Sequence, residues 1–285
     1  MKRLKILKPT RGLHDGSSFR EILDIWKENN ICDVVKNTEE SERFNMNDET
    51  QWIESRPWVN SVSDILLYDQ PILDKIHSGL KWNLALFANE VPKEGQFSDR
   101  GNISTWTFWP NHPKEHEKVR ADGILSYDER INTSCFIGSY TTQHRNSFQD
   151  WGRYIQNFWM GNGNQRLLSQ TEYLKFLKTH KFGLCLRGVG PKCLRDVELI
   201  GLGTVPIFTP GVSTDYFNKL EKDKHFLFAE NPQQIPDLIK SCSKEKCEYM
   251  SNECLKWFEE NSSPLGVYKV TCKIIEKYEN DKNKL

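Results

Sequence analysis

Residues 182–208 read FGLCL, RGVGPK, CLRDVELIGLG and TVPIF, a strand, a glycine turn, a helix and a second strand. Gly188 and Gly190 let the chain turn sharply, and Pro191 suits the first turn of a helix, where its missing N–H costs nothing. The free N–H groups of such a helix end point out from the carboxyl edge of a sheet, where α/β folds hold anions such as diphosphates. Cys193, Val197 and Ile200 share an apolar face, and Leu199 and Leu202 make the helix apolar nearly all round. Arg195 and Glu198, three apart, project together from it, and two charges there are costly unless paired or given a ligand. An arginine takes phosphate bidentately, and a carboxylate accepts from two sugar hydroxyls. A solvated or mutually paired Arg195–Glu198 is equally compatible with the spacing.

Other candidate chemistry is thinner. No Asp-x-Asp occurs, so the pair that metal-dependent sugar transferases use to hold a divalent ion against a diphosphate is missing, and no metal site is expected. His112 and His116 are four apart but follow Pro110 in what reads as a loop, without a third ligand. GNGNQR (161–166) lacks the third glycine of a dinucleotide fingerprint and reads as a turn. The aromatic run WTFWP (106–110) suits core packing, or an exposed ring that stacks on a sugar.

The elements that must position these residues alternate along the chain. Apolar runs at 3–7, 64–68, 84–88 and 123–127 read as strands of a first series, with a helix over 17–28. Residues 36–60 are polar and poorly periodic, an insertion loop with one helical turn. A second series follows, with strands at 134–138, 182–186, 204–208 and 225–229 and helices at 168–179, 192–202 and 213–220. From 233 on, successive helices close the chain. The expected fold is α/β: two Rossmann-like domains, 1–130 and 131–285, face each other across a cleft and hinge near 128–134.

Composition narrows the function. The 285 residues carry 39 Lys+Arg against 39 Asp+Glu, so no basic excess marks a nucleic-acid partner. The longest uncharged window, 199–214, is too short to span a bilayer and contains Pro206 and Pro210, and the basic N-terminus lacks the apolar core of a signal peptide. Eight dispersed cysteines without CxxC spacing read as free buried thiols in a reducing compartment. Sequons at Asn102, Asn132 and Asn261 matter only in a secreted chain. A cytoplasmic, anchorless protein is expected.

The stretch FGLCLRGVGPKCLRDVELIGLGTVPIFTPG resembles the donor-binding segment of exostosin-like glycosyltransferases: a Cys-containing strand, an Arg/Gly turn, an Arg followed by an acid on the helix, then Gly-x-Val-Pro-Ile. The likeness covers about 180–230, and SCFIGSYTTQHR (134–145) resembles the first strand and phosphate-side loop of the same domain. It implies a two-Rossmann-domain (GT-B) transferase, with Glu198 on the nucleotide ribose and Gly138, Arg145, Arg187, Gly188 and Arg195 around the diphosphate. The expected partners are a nucleotide-sugar, UDP-linked, and an oligosaccharide or glycoprotein acceptor, with no separate cofactor. The chain lacks the anchor and stem of animal exostosins, and short anchorless members encoded by viruses offer a matching origin, acting in a host cytoplasm.

An inverting transfer needs a base to take the acceptor proton, and strand-end acids in the first domain qualify: Asp15, Asp69, Glu90 and Asp128. Glu90, in LALFANEVP, resembles the strand-end Glu of other GT-B transferases, and Asp15, beside His14, lies in a Gly-rich first loop. Glu90 and Asp15 rank first, with His14 in reserve. A catalytically idle nucleotide- or glycan-binding module and a nucleotide-sugar epimerase are the competing readings.

Overall fold

The computed structural model describes residues 4–8, 17–36, 52–54, 62–68, 73, 81–139, 149–161 and 168–282. Two parallel sheets organise them. The first contains β1 (Leu4–Lys8), β2 (Cys32–Lys36), β3 (Trp52–Glu54), β4 (Val62–Tyr68), β5 (Lys81–Phe87) and β6 (Asn102–Thr105), ordered β2-β1-β3-β4-β5-β6. The second contains β7 (Ile131–Ser139), β8 (Asn157–Gly161), β9 (His180–Cys185), β10 (Val205–Phe208) and β11 (Leu227–Phe228), ordered β11-β10-β9-β7-β8. Parallel neighbours need crossovers, and helices supply several. Helix α1 (Ser17–Glu28) joins β1 to β2, α3 (Gln170–Lys178) joins β8 to β9, and α4 (Leu194–Gly201) joins β9 to β10. Helix α2 (Pro113–Ala121) follows β6, and α5 (Ile235–Ser241), α6 (Lys244–Asn261) and α7 (Pro264–Lys282) end the chain. The chain is α/β, built from two Rossmann-like βα units.

Local sequence explains these elements. In α1, Phe19, Ile22, Leu23 and Trp26 stand at i, i+3, i+4 and i+7, and all four are buried. Helix α3 opens with a capping box, in which Ser169 N–H donates to Glu172 Oε2 at 2.8 Å and Glu172 N–H donates to Ser169 Oγ at 3.3 Å. Every residue of β9 is buried, as in a parallel strand covered on both faces. Pro206 is tolerated within β10 because β11 pairs only from Ile207 onward, so the missing N–H breaks no bond to that neighbour. Helix α7 lies against the first unit: Trp26 Nε1–H donates to Pro264 O at 2.6 Å, Tyr268 O–H to Ile31 O at 2.8 Å and Trp106 Nε1–H to Thr271 Oγ1 at 2.9 Å. No described helix is long and apolar enough to cross a membrane.

Several local expectations fail, each for a physical reason. Residues 123–127 form no strand; 123–126 are irregular and lead into a turn over 127–129. Glu129 Oε2 accepts both N–H and O–H of Ser126 at 2.8 and 2.7 Å, and Arg130 Nε–H donates to Leu125 O at 3.0 Å. The same arginine also donates to Thr204 Oγ1 at 3.1 Å and Leu202 O at 2.9 Å. Residues 213–220 are not helical, because Phe217 N–H donates to Trp106 O at 2.9 Å instead of closing a helical turn. His116 lies in α2 rather than in a loop, whereas His112 is in the bend just before it and makes no side-chain cap bond. Within 36–60, Trp52–Glu54 is a strand. WTFWP is core, with Trp106, Phe108 and Trp109 all buried. The free-thiol expectation holds, since all eight cysteines are free, with Cys193 half-buried and the others buried; Asn261 is buried, its side chain donating to Trp257 O at 2.8 Å.

Close packing of α4 on β9 depends on one missing side chain. A Cβ on Gly183 would stand 2.3 Å from Leu199 Cδ2, inside the contact limit. Gly183→Ala should therefore force α4 away from the sheet and lower unfolding free energy by about 1–3 kcal/mol, the range for an overpacked core. Chemical denaturation measures this directly.

Candidate functional site at the carboxyl edges of the two sheets

The carboxyl end of β5 meets the turn between β9 and α4. Asn89, two residues past β5 and 6% exposed, faces Lys192, which is 2% exposed. Asn89 Nδ2–H donates to Lys192 O at 3.2 Å, while Lys192 N–H donates to Asn89 Oδ1 at 3.3 Å. Lys192 Nζ reaches on to Ala88 O at 2.9 Å and lies 4.6 Å from the centre of the Tyr216 ring. Burial pushes the Lys192 ammonium down to about 7, with Asp215 partly opposing it.

Helix α4 starts differently from the sequence expectation. Its N-cap is Cys193, so Pro191 lies before the helix, where its carbonyl accepts Ser213 N–H at 2.8 Å. Asp196 Oδ2 accepts Cys193 N–H at 2.8 Å. The buried Asp196 carboxylate thus offsets part of the positive helix end, and attraction for an anion falls to nearby arginines.

Like Asp196, the other two charges of α4 are buried: Arg195 is 8% and Glu198 2% exposed. They are neither solvated nor paired with each other. Arg195 Nη2–H donates to Ile137 O, and its guanidinium stacks 4.2 Å from the Phe136 ring centre. Gly138 makes room for this, since a Cβ there would stand 2.7 Å from Phe136 and 3.2 Å from Arg195 Nη2. Arg195 Nε and Nη1 and Arg187 Nε are buried with no hydrogen-bond acceptor among the described residues. Unmet guanidinium donors are costly in a finished core and suited to an anionic ligand.

Glu198 is committed to neighbouring elements. Its Oε1 accepts Asn111 N–H at 3.2 Å and its Oε2 accepts Tyr173 O–H at 3.1 Å. Burial raises its pKa, with the Arg195 charge opposing. The Glu198 main-chain carbonyl accepts His116 Nε2–H at 3.1 Å, which fixes the imidazole tautomer. The bare Nδ1 of His116 has no partner among the described residues, and burial holds the ring neutral, its pKa lowered to about 3.

Of the sequence-predicted residues, Glu90 is half-buried just past β5, adjoining the Asn89–Lys192 contact. Arg187, Gly188, Arg195 and Gly138 gather at the carboxyl edges of β9 and β7. Asp128 does not belong with them, because 123–127 is no strand and its carboxylate pairs with Lys244 of α6. Asp15, His14, Asp69, Arg145 and residues 162–166 of GNGNQR lie outside the described residues. Sequence reasoning passed over Asn89, Lys192, Asn111 and Tyr173. Asn89 and Lys192 adjoin Glu90 and Pro191 at strand-end turns, a usable signal, whereas nothing local marks Asn111 or Tyr173 as partners of Glu198.

The fold has counterparts among solved structures. A glycosyltransferase from Rickettsia africae ESF-5 superposes with a TM-score of 0.51 at 11% identity, over 98% of this chain and 99% of that one. An alpha1,3-fucosyltransferase crystallised with GDP-fucose gives 0.52 at 15% identity, over 98% and 91% of the two chains. The fold is GT-B. No known family and no curated protein matches this chain by sequence.

In the GT-B frame, a buried lysine joining the two units opposes stability. Between about 7 and the ordinary 10.5 the unfolded chain holds a proton that folded Lys192 has released, so stability rises with pH across that window. Lys192→Met should remove this rise and raise unfolding free energy at pH 7 by about 1–3 kcal/mol, as expected when a buried polar cost is lifted. Denaturation at pH 7 and pH 10 measures both effects.

Proposed function

We propose that the protein is an inverting, metal-independent glycosyltransferase that moves a sugar from a UDP-linked donor to a glycan acceptor. The observation that carries this reading is the set of unmet donors on Arg187 and Arg195 at the carboxyl edge of the second sheet. A diphosphate placed there would accept from them while its sugar faces the first sheet. The GT-B fold and the exostosin-like residues of 182–208 support the same reaction class.

In this reading Glu90 is the base. It takes the proton of an acceptor hydroxyl as that oxygen attacks the anomeric carbon. The bond from that carbon to the diphosphate breaks, and the departing charge falls on Arg187 and Arg195. Backbone N–H groups at Gly188 would add to them, with Gly138 on the same side, and the exostosin-like resemblance adds Arg145. Glu198 would reach a ribose only by exchanging Asn111 N–H and Tyr173 O–H for sugar hydroxyls. Asp15 and His14 are the remaining base candidates.

Turnover is followed as nucleotide release from UDP-, GDP- and CMP-sugars with oligosaccharide acceptors. Glu90→Gln should lower kcat by about 10²–10⁴-fold while nucleotide affinity stays unchanged. Full turnover in the folded variant would move the base to Asp15 or His14. Activity should also survive EDTA, since arginines rather than an ion meet the leaving charge. Loss on chelation with recovery on Mn²⁺ or Mg²⁺ would overturn the metal-independent scheme.

A further inference from the structure

The corner between α5 and α6 carries two cysteines far from the site above. Cys242 caps the end of α5, and Ser243 is the N-cap of α6, its Oγ accepting Lys246 N–H at 3.2 Å. Cys242 is therefore the residue before the cap, and Cys247 lies in the first turns of the helix, its N–H donating to Ser243 O at 2.9 Å. These are the two positions at which side chains meet across a helix start in a hydrophobic staple. Here both are thiols, and both belong to one buried cluster with Ile235 and Met250. Only 7% and 4% of their surfaces are exposed, yet Cys247 lines an open cavity of about 220 Å³ together with Tyr127, Arg130 and Lys181.

The two sulfurs are not equivalent. The Cys247 thiol beside it and nearby Lys246 hold the Cys242 thiol below the usual range against burial, while Cys247 is pushed up by the same contact. Cys242 also stands at the start of an 18-residue helix, where a thiolate is favoured. An acidic thiol beside a second thiol is the arrangement of an attacking and a resolving cysteine.

We propose that Cys242 and Cys247 form a dithiol that hydrogen peroxide oxidises to an intramolecular disulfide, locking α5 to the start of α6. The Cys242 thiolate attacks one peroxide oxygen, the O–O bond breaks, and the departing hydroxide takes up a proton to leave as water. The resulting sulfenic acid is attacked by the Cys247 sulfur. The S–O bond breaks, the hydroxyl leaves with the Cys247 proton as a second water, and the S–S bond forms. Each sulfur gives one electron, and the peroxide takes both.

Peptide mapping after treatment of the full chain with hydrogen peroxide tests this. The expected result is a single cross-linked peptide pair joining Cys242 to Cys247, a loss of about 2 Da reversed by dithiothreitol. In Cys247→Ser, Cys242 should accumulate as a sulfenic acid trapped by dimedone, and in Cys242→Ser no label should appear at Cys247. A cross-link at other cysteines, no cross-link while the half-buried Cys193 oxidises, or dimedone labelling at Cys247 in Cys242→Ser would overturn the proposal. The wild-type mapping decides even if either variant misfolds.

Discussion

A buried lysine ammonium between the two sheets is the constraint to which the rest of the structure answers. Lys192 touches Ala88 through its side chain and Asn89 through its main chain, so the carboxyl ends of β5 and β9 are drawn to one place. Taking that ammonium out of water costs free energy that one carbonyl and one aromatic face only partly return. A methionine would fill the space without the cost. Arg187, just past β9, and Arg195 of α4 carry buried donors with no acceptor among the described residues, and the proposed anion site rests on them rather than on the lysine.

The segment after β6 supports this arrangement from behind. Asn111 and His116 both bond to Glu198, one to its carboxylate and one to its carbonyl, and Arg120 Nε–H donates to Gly201 O at 2.8 Å. Helix α2 and the residues just before it therefore hold the middle and the C-terminal end of α4, although they follow from the first sheet. Helix α7 makes the converse connection, lying on α1 and Trp106. The two units are tied by crossed segments as well as by the central contact, and Arg130 pins the connection between them.

Much of the framework was legible because burial leaves a periodic mark. Helix α1 begins and ends at the expected residues, since its apolar stripe and flanking polar residues agree. Strands β9 and β10 were visible as apolar runs bounded by turn residues. The false strand at 123–127 has the same composition, but Ile124 is 37% exposed and Arg130 captures the backbone into a turn, a tertiary event no local pattern reports. The false helix at 213–220 failed likewise, with an N–H taken by Trp106 more than 100 residues away. Within the site, Arg195 and Glu198 stood out because charges on an apolar helix are conspicuous. Their partners did not, because Ile137, Asn111 and Tyr173 reach them only through folding. Strand-end position marked Glu90, and the same reasoning misplaced Asp128 once its strand dissolved into a turn.

Amide hydrogen exchange with and without UDP, GDP and CMP tests the central claim most directly. The account predicts that a bound nucleotide slows exchange at the turn and helix start spanning 186–198 and at 88–90, where the two sheets meet. Unchanged exchange in both segments with every nucleotide at saturating concentration, or protection confined to other parts of the chain, would contradict it.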